Sequence, residues 1–204
     1  DRPIAATIGD RFILRDVSAS RTIGGGHFLD LRPPARKRRT PERLALIDAA
    51  QAPDPLQAML AVGPVDSAVF VRDRALSPAD AAAALSGARL VAGLALSPAH
   101  LDALQRGIID ALSAFHAENP DLPGMGRERL RLALTPRLPK DAYLALLRGE
   151  ADAGRIVPDG AFLRLPGHEV RLSVEDEALW ARILPSLTGD LRYRPPRVRD
   201  FATD

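Results

Sequence analysis

Cysteine is missing from all 204 residues, which excludes disulfides and thiolate metal sites. Aromatic residues make up only 4% of a chain that is 46% hydrophobic, so Leu, Ala and Val must do most of the packing. That supply suits small helical modules better than a ligand-lined cavity. No apolar run approaches the ~18–20 residues needed to cross a bilayer, and no signal-peptide pattern opens the chain. The expectation is a soluble, cytoplasmic protein without a membrane partner.

Lysine is equally scarce, occurring only as Lys37 and Lys140, so arginine carries the positive charge. The net charge is +2 and the sequence pI about 9.5. Arginine presents a planar fork suited to phosphate oxygens, where lysine acts as a point charge. Arg32, Arg36, Lys37, Arg38 and Arg39 form one cluster, and Arg192, Arg194, Arg197 and Arg199 another. Such clusters suggest contact with a polyanion, although an Arg- and Ala-rich composition alone can produce them.

The chain opens with strand-like segments. Arg11 to Asp16 precedes a polar connection and then Thr22 to Leu31, with Phe28, Leu29 and Leu31 expected to end the second strand. Gly24, Gly25 and Gly26 allow a bulge or a close backbone approach. Two strands cannot bury a core alone, so they are expected to be the edge of a barrel whose other strands precede residue 1. Pro33 to Arg39 reads as an extended, basic linker.

Helix starts then recur as a hydroxyl followed by proline or acid: Thr40-Pro41, Ser77-Pro78, Ser97-Pro98 and Ser173-Val174-Glu175. Leu101, Leu104, Ile108, Leu112 and Phe115 make one apolar stripe on the third of these helices. Hairpins are expected at 88–96 through Ala92-Gly93 and at 155–165 through Asp159-Gly160. Helix, helix, turn, helix, hairpin is the order of a winged helix, and it occurs twice with a repeat of roughly 60–70 residues. The fold class expected is mainly α with small β, as tandem winged-helix modules preceded by strands of a truncated β-barrel.

Gly9-Asp10-Arg11-Phe12-Ile13-Leu14-Arg15 followed by Arg21-Thr22-Ile23-Gly24-Gly25-Gly26 resembles the closing strands of the third domain of elongation factor Tu-like translational GTPases. The Pro- and Arg-rich segment after them, together with Pro123 to Arg131 and Phe162 to His168, resembles the bacterial selenocysteine-specific elongation factors. The resemblance implies a domain plan: 1–33, the end of the barrel; 34–40, a basic linker; 41–96 and 97–172, two winged helices; and 173–204, the truncated start of a third. It implies a part in selenocysteine incorporation at UGA codons, with selenocysteinyl-tRNA, a selenoprotein mRNA hairpin and the ribosome as partners of the parent protein. This stretch would serve as a monomeric spacer and coupling arm.

Catalytic and cofactor sites are not expected within these residues. No G-x-x-x-x-G-K-[ST] loop or Asn-Lys-x-Asp motif occurs, so GTP and magnesium would belong to the parent protein's GTPase domain. Asp121-Leu122-Pro123-Gly124 only imitates a magnesium-proximal turn. Gly24 to Gly26 leads into a strand and lacks a helix dipole. His27, His100, His116 and His168 share no ligand spacing and read as surface or capping residues. What remains is nucleic-acid contact, with Arg36, Lys37, Arg38, Arg39, Arg127, Arg129, Lys140, Arg155 and Arg164 as candidates. The alternative function is a winged-helix transcription regulator that binds DNA. The acids of the third helices (Asp80, and Asp141, Glu150 and Asp152) argue against major-groove reading.

Overall fold

A computed structural model describes residues 4–189 together with Tyr193 and Arg197. Its contacts divide the chain into two compact units, 1–108 with 134–152, and 109–133 with 153–204.

In the first unit, β1 (Arg11–Arg15) pairs antiparallel with β2 (Thr22–His27). The triple glycine does what its composition allows. The register slips by one residue between Leu14 and Arg15, a bulge opposite Ile23. A Cβ on Gly25 would lie 2.7 Å from the Phe12 carbonyl oxygen. The expected strand end at Phe28 to Leu31 is not strand, since β2 stops at His27. Phe28 still exchanges backbone hydrogen bonds with Gly9 and Asp10, and its ring tilts against Phe12 at 5.1 Å. The chain must turn there to reach the helices that follow.

The linker is also not extended. Lys37 takes a left-handed φ of 57°, and the Arg38 Nε donates to the Pro34 carbonyl at 2.8 Å, which closes residues 34–38 into a turn. Two prolines bias the backbone before them but leave residues 36–39 free to fold back.

The helices are α1 (Pro41–Ala49), α2 (Pro55–Val62), α3 (Ser67–Asp73) and α4 (Pro78–Leu85). Thr40 and Ser77 cap the backbone amides of Arg43 and Asp80, as their hydroxyl–proline signature predicts. Asp54-Pro55 and Asp66 start α2 and α3 by the same chemistry with a carboxylate. The stretch expected to be helical from Val65 instead begins as a short strand, β3 (Val65–Asp66), because Asp66 is the cap and cannot be inside the helix. It pairs with β5 (Leu94–Leu96), which pairs with β4 (Arg89–Val91) through Ala92 and Gly93, both at positive φ. Leu56, Leu60, Val65, Phe70 and Ala95 form the core of this module. Burying one such leucine contributes about 1.5–3 kcal/mol.

Helix α5 (Pro98–Glu118) runs through both units, buried at Leu104 and Ile108 in the first and at Leu112 and Phe115 in the second. The first unit also holds α7 (Lys140–Asp152), with Ala142, Tyr143, Leu146 and Leu147 buried. The second holds β6 (Met125–Gly126), α6 (Arg127–Ala133), β7 (Val157–Asp159), β8 (Phe162–Arg164) and α8 (Val174–Leu187). Its buried apolar residues include Met125, Leu130, Ile156 and Leu163.

Strand order β3-β5-β4 recurs as β6-β8-β7, and both sets arise from helix, strand, helix, helix, strand, strand. The architecture is therefore two winged-helix patterns in tandem after a β-hairpin. The second hairpin turns one residue later than its Asp-Gly signal suggests. Asp159 pairs with Phe162, and Gly160 at φ 54° with Ala161 makes the turn. Glycine in the first central position supplies the one left-handed residue needed there. The C-terminal residues Arg192, Arg194 and Arg199 lie outside the described residues.

Replacing the fully buried Leu60 by alanine is expected to cost about 2–5 kcal/mol in urea denaturation followed by circular dichroism. Gly25→Ala, by contrast, should leave that core intact and speed amide exchange only along β1 and β2.

Candidate nucleic-acid interface

Four cations in succession, Arg36, Lys37, Arg38 and Arg39, occupy the turn between the hairpin and α1, and all four residues are exposed. The turn is tied at its base. Asp30 forms an ion pair with Arg43, so residues before and after the turn are held together. Arg32, which belongs to the same cluster in sequence, is used elsewhere: its Nε donates to Asp73 Oδ2 at 3.0 Å and its Nη2 to Oδ1 at 3.1 Å. That guanidinium holds the Asp73 carboxyl below the usual carboxylate range. The four remaining charges repel one another weakly in water and sum to a local positive potential that attracts a polyanion.

The candidates in the second unit behave differently. Arg127, at the start of α6, donates from Nη2 to the Gly160 carbonyl at 2.5 Å, while its backbone N–H reaches Ala161 at 3.3 Å. It therefore grips the hairpin turn. Arg129 lies over the Phe115 ring at 4.8 Å, a cation–π contact that covers the aromatic edge of the core. Arg131 pairs with Glu128 through Nε at 2.9 Å and Nη2 at 2.6 Å. Arg164 is half-buried, and its Nη1 donates to the His168 carbonyl at 3.3 Å. Arg155 is exposed just before β7. Lys140, in the first unit, is exposed at the start of α7. On that helix Glu150 is buried and accepts from Gln105 Nε2 at 2.8 Å, so its charge serves the interior.

A pair of histidines was not foreseen. His116, on α5, and His168 stack with ring centroids 3.6 Å apart and planes 11° from parallel. The Leu165 backbone N–H donates to His116 Nε2 at 3.2 Å, which requires that nitrogen to be unprotonated. His168 Nε2 lies 2.8 Å from the Leu122 carbonyl, a distance that calls for an N–H there. Neither ring is the surface or capping residue expected from sequence. The two positions are joined only when the chain returns through β8, so no local spacing signals them. Burial, then the positive field of His168 and Arg164, lowers the proton affinity of His116 below the usual histidine value.

The imitations of a nucleotide site do not fit one. Gly24 to Gly26 lie in β2, with their backbone held in the ladder to β1 and no helix start before them. In the loop 121–124 the Leu122 carbonyl accepts from His168, and a Cβ on Gly124 would run into the Leu163 backbone. That loop is thus built to pass under β8. Among the described residues no helix is long and apolar enough to cross a membrane.

Residues 1–35 match the family described as "Selenocysteine-specific elongation factor, beta-barrel domain", and residues 109–165 the one described as "Elongation factor SelB, winged helix". The chain is 35% identical over 210 residues to the selenocysteine-specific elongation factor of Escherichia coli (strain K12), covering 100% of this chain and 34% of that protein. The corresponding protein of Haemophilus influenzae is 23% identical over 197 residues (90% of this chain, 31% of the relative), and that of Desulfomicrobium baculatum 22% over 214 residues (98% and 34%). The chain thus spans about a third of the length of the curated relatives it matches. These matches do not favour a DNA-binding regulator.

A histidine that binds protons less readily when folded than when unfolded leaves stability intact above about pH 6.5 and withdraws it as pH falls through the folded value. The urea midpoint should therefore decline below that pH, with Leu165 amide exchange rising in step. His116→Gln should flatten the decline.

Proposed function

We propose that this chain, which belongs to the family of selenocysteine-specific elongation factors, is a coupling arm. It would join a tRNA-holding barrel to an mRNA-gripping end during selenocysteine incorporation at UGA codons. On this reading residues 1–33 close the barrel, 34–40 form the basic connection, 41–96 and 97–172 are successive winged helices, and 173–204 opens a third. The work is cytoplasmic and done as a monomer. The partners are RNA: selenocysteinyl-tRNA, the mRNA hairpin and the ribosome. No catalysis is assigned to these residues, and GTP with magnesium would be bound by a different domain.

The observation that carries RNA contact is the exposed, base-tied turn of Arg36, Lys37, Arg38 and Arg39. Arg127, Arg129 and Arg164 are weaker candidates, because each has a partner inside its own module. Arg155 and Lys140 remain exposed additions. A helix face as acidic as that of α7 is a poor reader of base edges, so contact through phosphates is the better reading.

Titration with a selenoprotein mRNA hairpin and with duplex DNA at several salt concentrations tests this. Weak association that falls steeply with salt is expected for RNA. Replacing Arg36, Lys37, Arg38 and Arg39 by serine should lower the slope of log K against log salt by roughly 3, since each phosphate contact is worth about 0.7–0.9. Tight, sequence-selective binding to duplex DNA would remove the translation reading.

A further inference from the structure

The seam between the opening hairpin and the first winged helix is held by polar contacts at both sides of one carboxylate. Asp73, the last residue of α3, is 6% exposed, yet its side chain receives the forked guanidinium of Arg32. Arg72 Nε also reaches it at 3.4 Å. Its backbone carbonyl accepts the Ile8 N–H at 2.7 Å. Ile8 and Arg32 flank the hairpin in sequence, so a single residue of α3 fastens both of its feet. The Asp30–Arg43 pair adds a second tie, from the hairpin's end to α1.

Apolar packing does not do this job alone. Under the two ion pairs lies a cavity of about 220 Å³, bordered by Ile8, Leu29, Leu46, Met59, Phe70 and Arg74. Protein interiors normally leave few voids larger than a water molecule, so this seam is loosely filled. Arg74 stacks over Phe70 at 4.1 Å and closes the cavity from one side without reaching the hairpin's acids.

We infer that Asp73, with Arg32 and the Asp30–Arg43 pair, forms a polar joint that makes the hairpin and the first winged module one lever. This deepens the coupling-arm reading and rests on it for its purpose, while the geometry can be tested without RNA. A displacement of the barrel would then be passed to the first module undamped, and the basic turn at 36–39 would travel with both. Asp73 is a positioning residue here, because it acts by placing others.

The chain lacks cysteine, so Val17→Cys and Ala82→Cys, both at exposed positions, give two unique sites for spin labels. With Arg32 and Arg43 intact, the distance between labels should form one narrow distribution, and the Ile8 amide should be protected from exchange. Arg32→Gln should broaden the distribution and speed Ile8 exchange on the order of tenfold, as a local opening and not global unfolding. Arg32→Gln with Arg43→Gln should broaden it further, while core amides such as that of Leu60 stay protected. Asp73→Asn, which keeps the shape of the side chain, is the second route to the same loss. A broad distribution in the parent background, or a narrow one with unchanged Ile8 exchange in the double variant, would overturn the joint. Loss of RNA binding alone would overturn only the contact proposed above.

Discussion

Very short strands cannot hold themselves together in water, and everything else in this chain follows from how its two wings are fastened. In the first module β5 is locked by β3, with Val65 opposite Ala95 and Asp66 opposite Leu94, and by the complete burial of Ala95 and Leu96. In the second, Met125 faces Leu163, and the side chains of Arg127 and His116 take up backbone groups of Gly160 and Leu165. The apolar solution and the polar one reach the same topology.

That difference decides which charges are available to a partner. An arginine that donates to a backbone carbonyl, or lies on a phenylalanine ring, has its geometry set by the fold, and a phosphate must compete for it. Arg127, Arg129 and Arg164 are of this kind. The four cations of the 36–39 turn are exposed, and the turn is shaped by a backbone acceptor and an ion pair at its base, leaving most of its charge facing water. A short, structured basic loop suits a phosphate backbone better than a base edge, since it supplies charge and little directional matching.

The joint at Asp73 and the stacked histidines illustrate a second division of labour. Asp73 keeps its charge because a guanidinium meets it, whereas His116 is favoured neutral because burial and nearby positive charge oppose its proton. Both place a titratable group at a seam between elements, where apolar side chains are in short supply. A chain with 4% aromatic residues has few large rings to fill such places, and polar pairs take them instead.

Sequence alone determined the helix starts, because a hydroxyl or carboxylate before the first turn acts within a few residues. Thr40, Ser77, Ser97 and Ser173 were legible for this reason, as were the glycines of β2 and the repeated order of elements. Strands of two residues, β3 and β6, were not legible, since they exist only through a partner far along the chain. The same holds for the site. The run of Arg36 to Arg39 could be read directly, but which arginines are committed internally depends on where Phe115, Gly160 and His168 fall in space. Pairings of Arg32 with Asp73 and of His116 with His168 were decided by tertiary structure alone, because contacts between distant residues leave no periodicity to find.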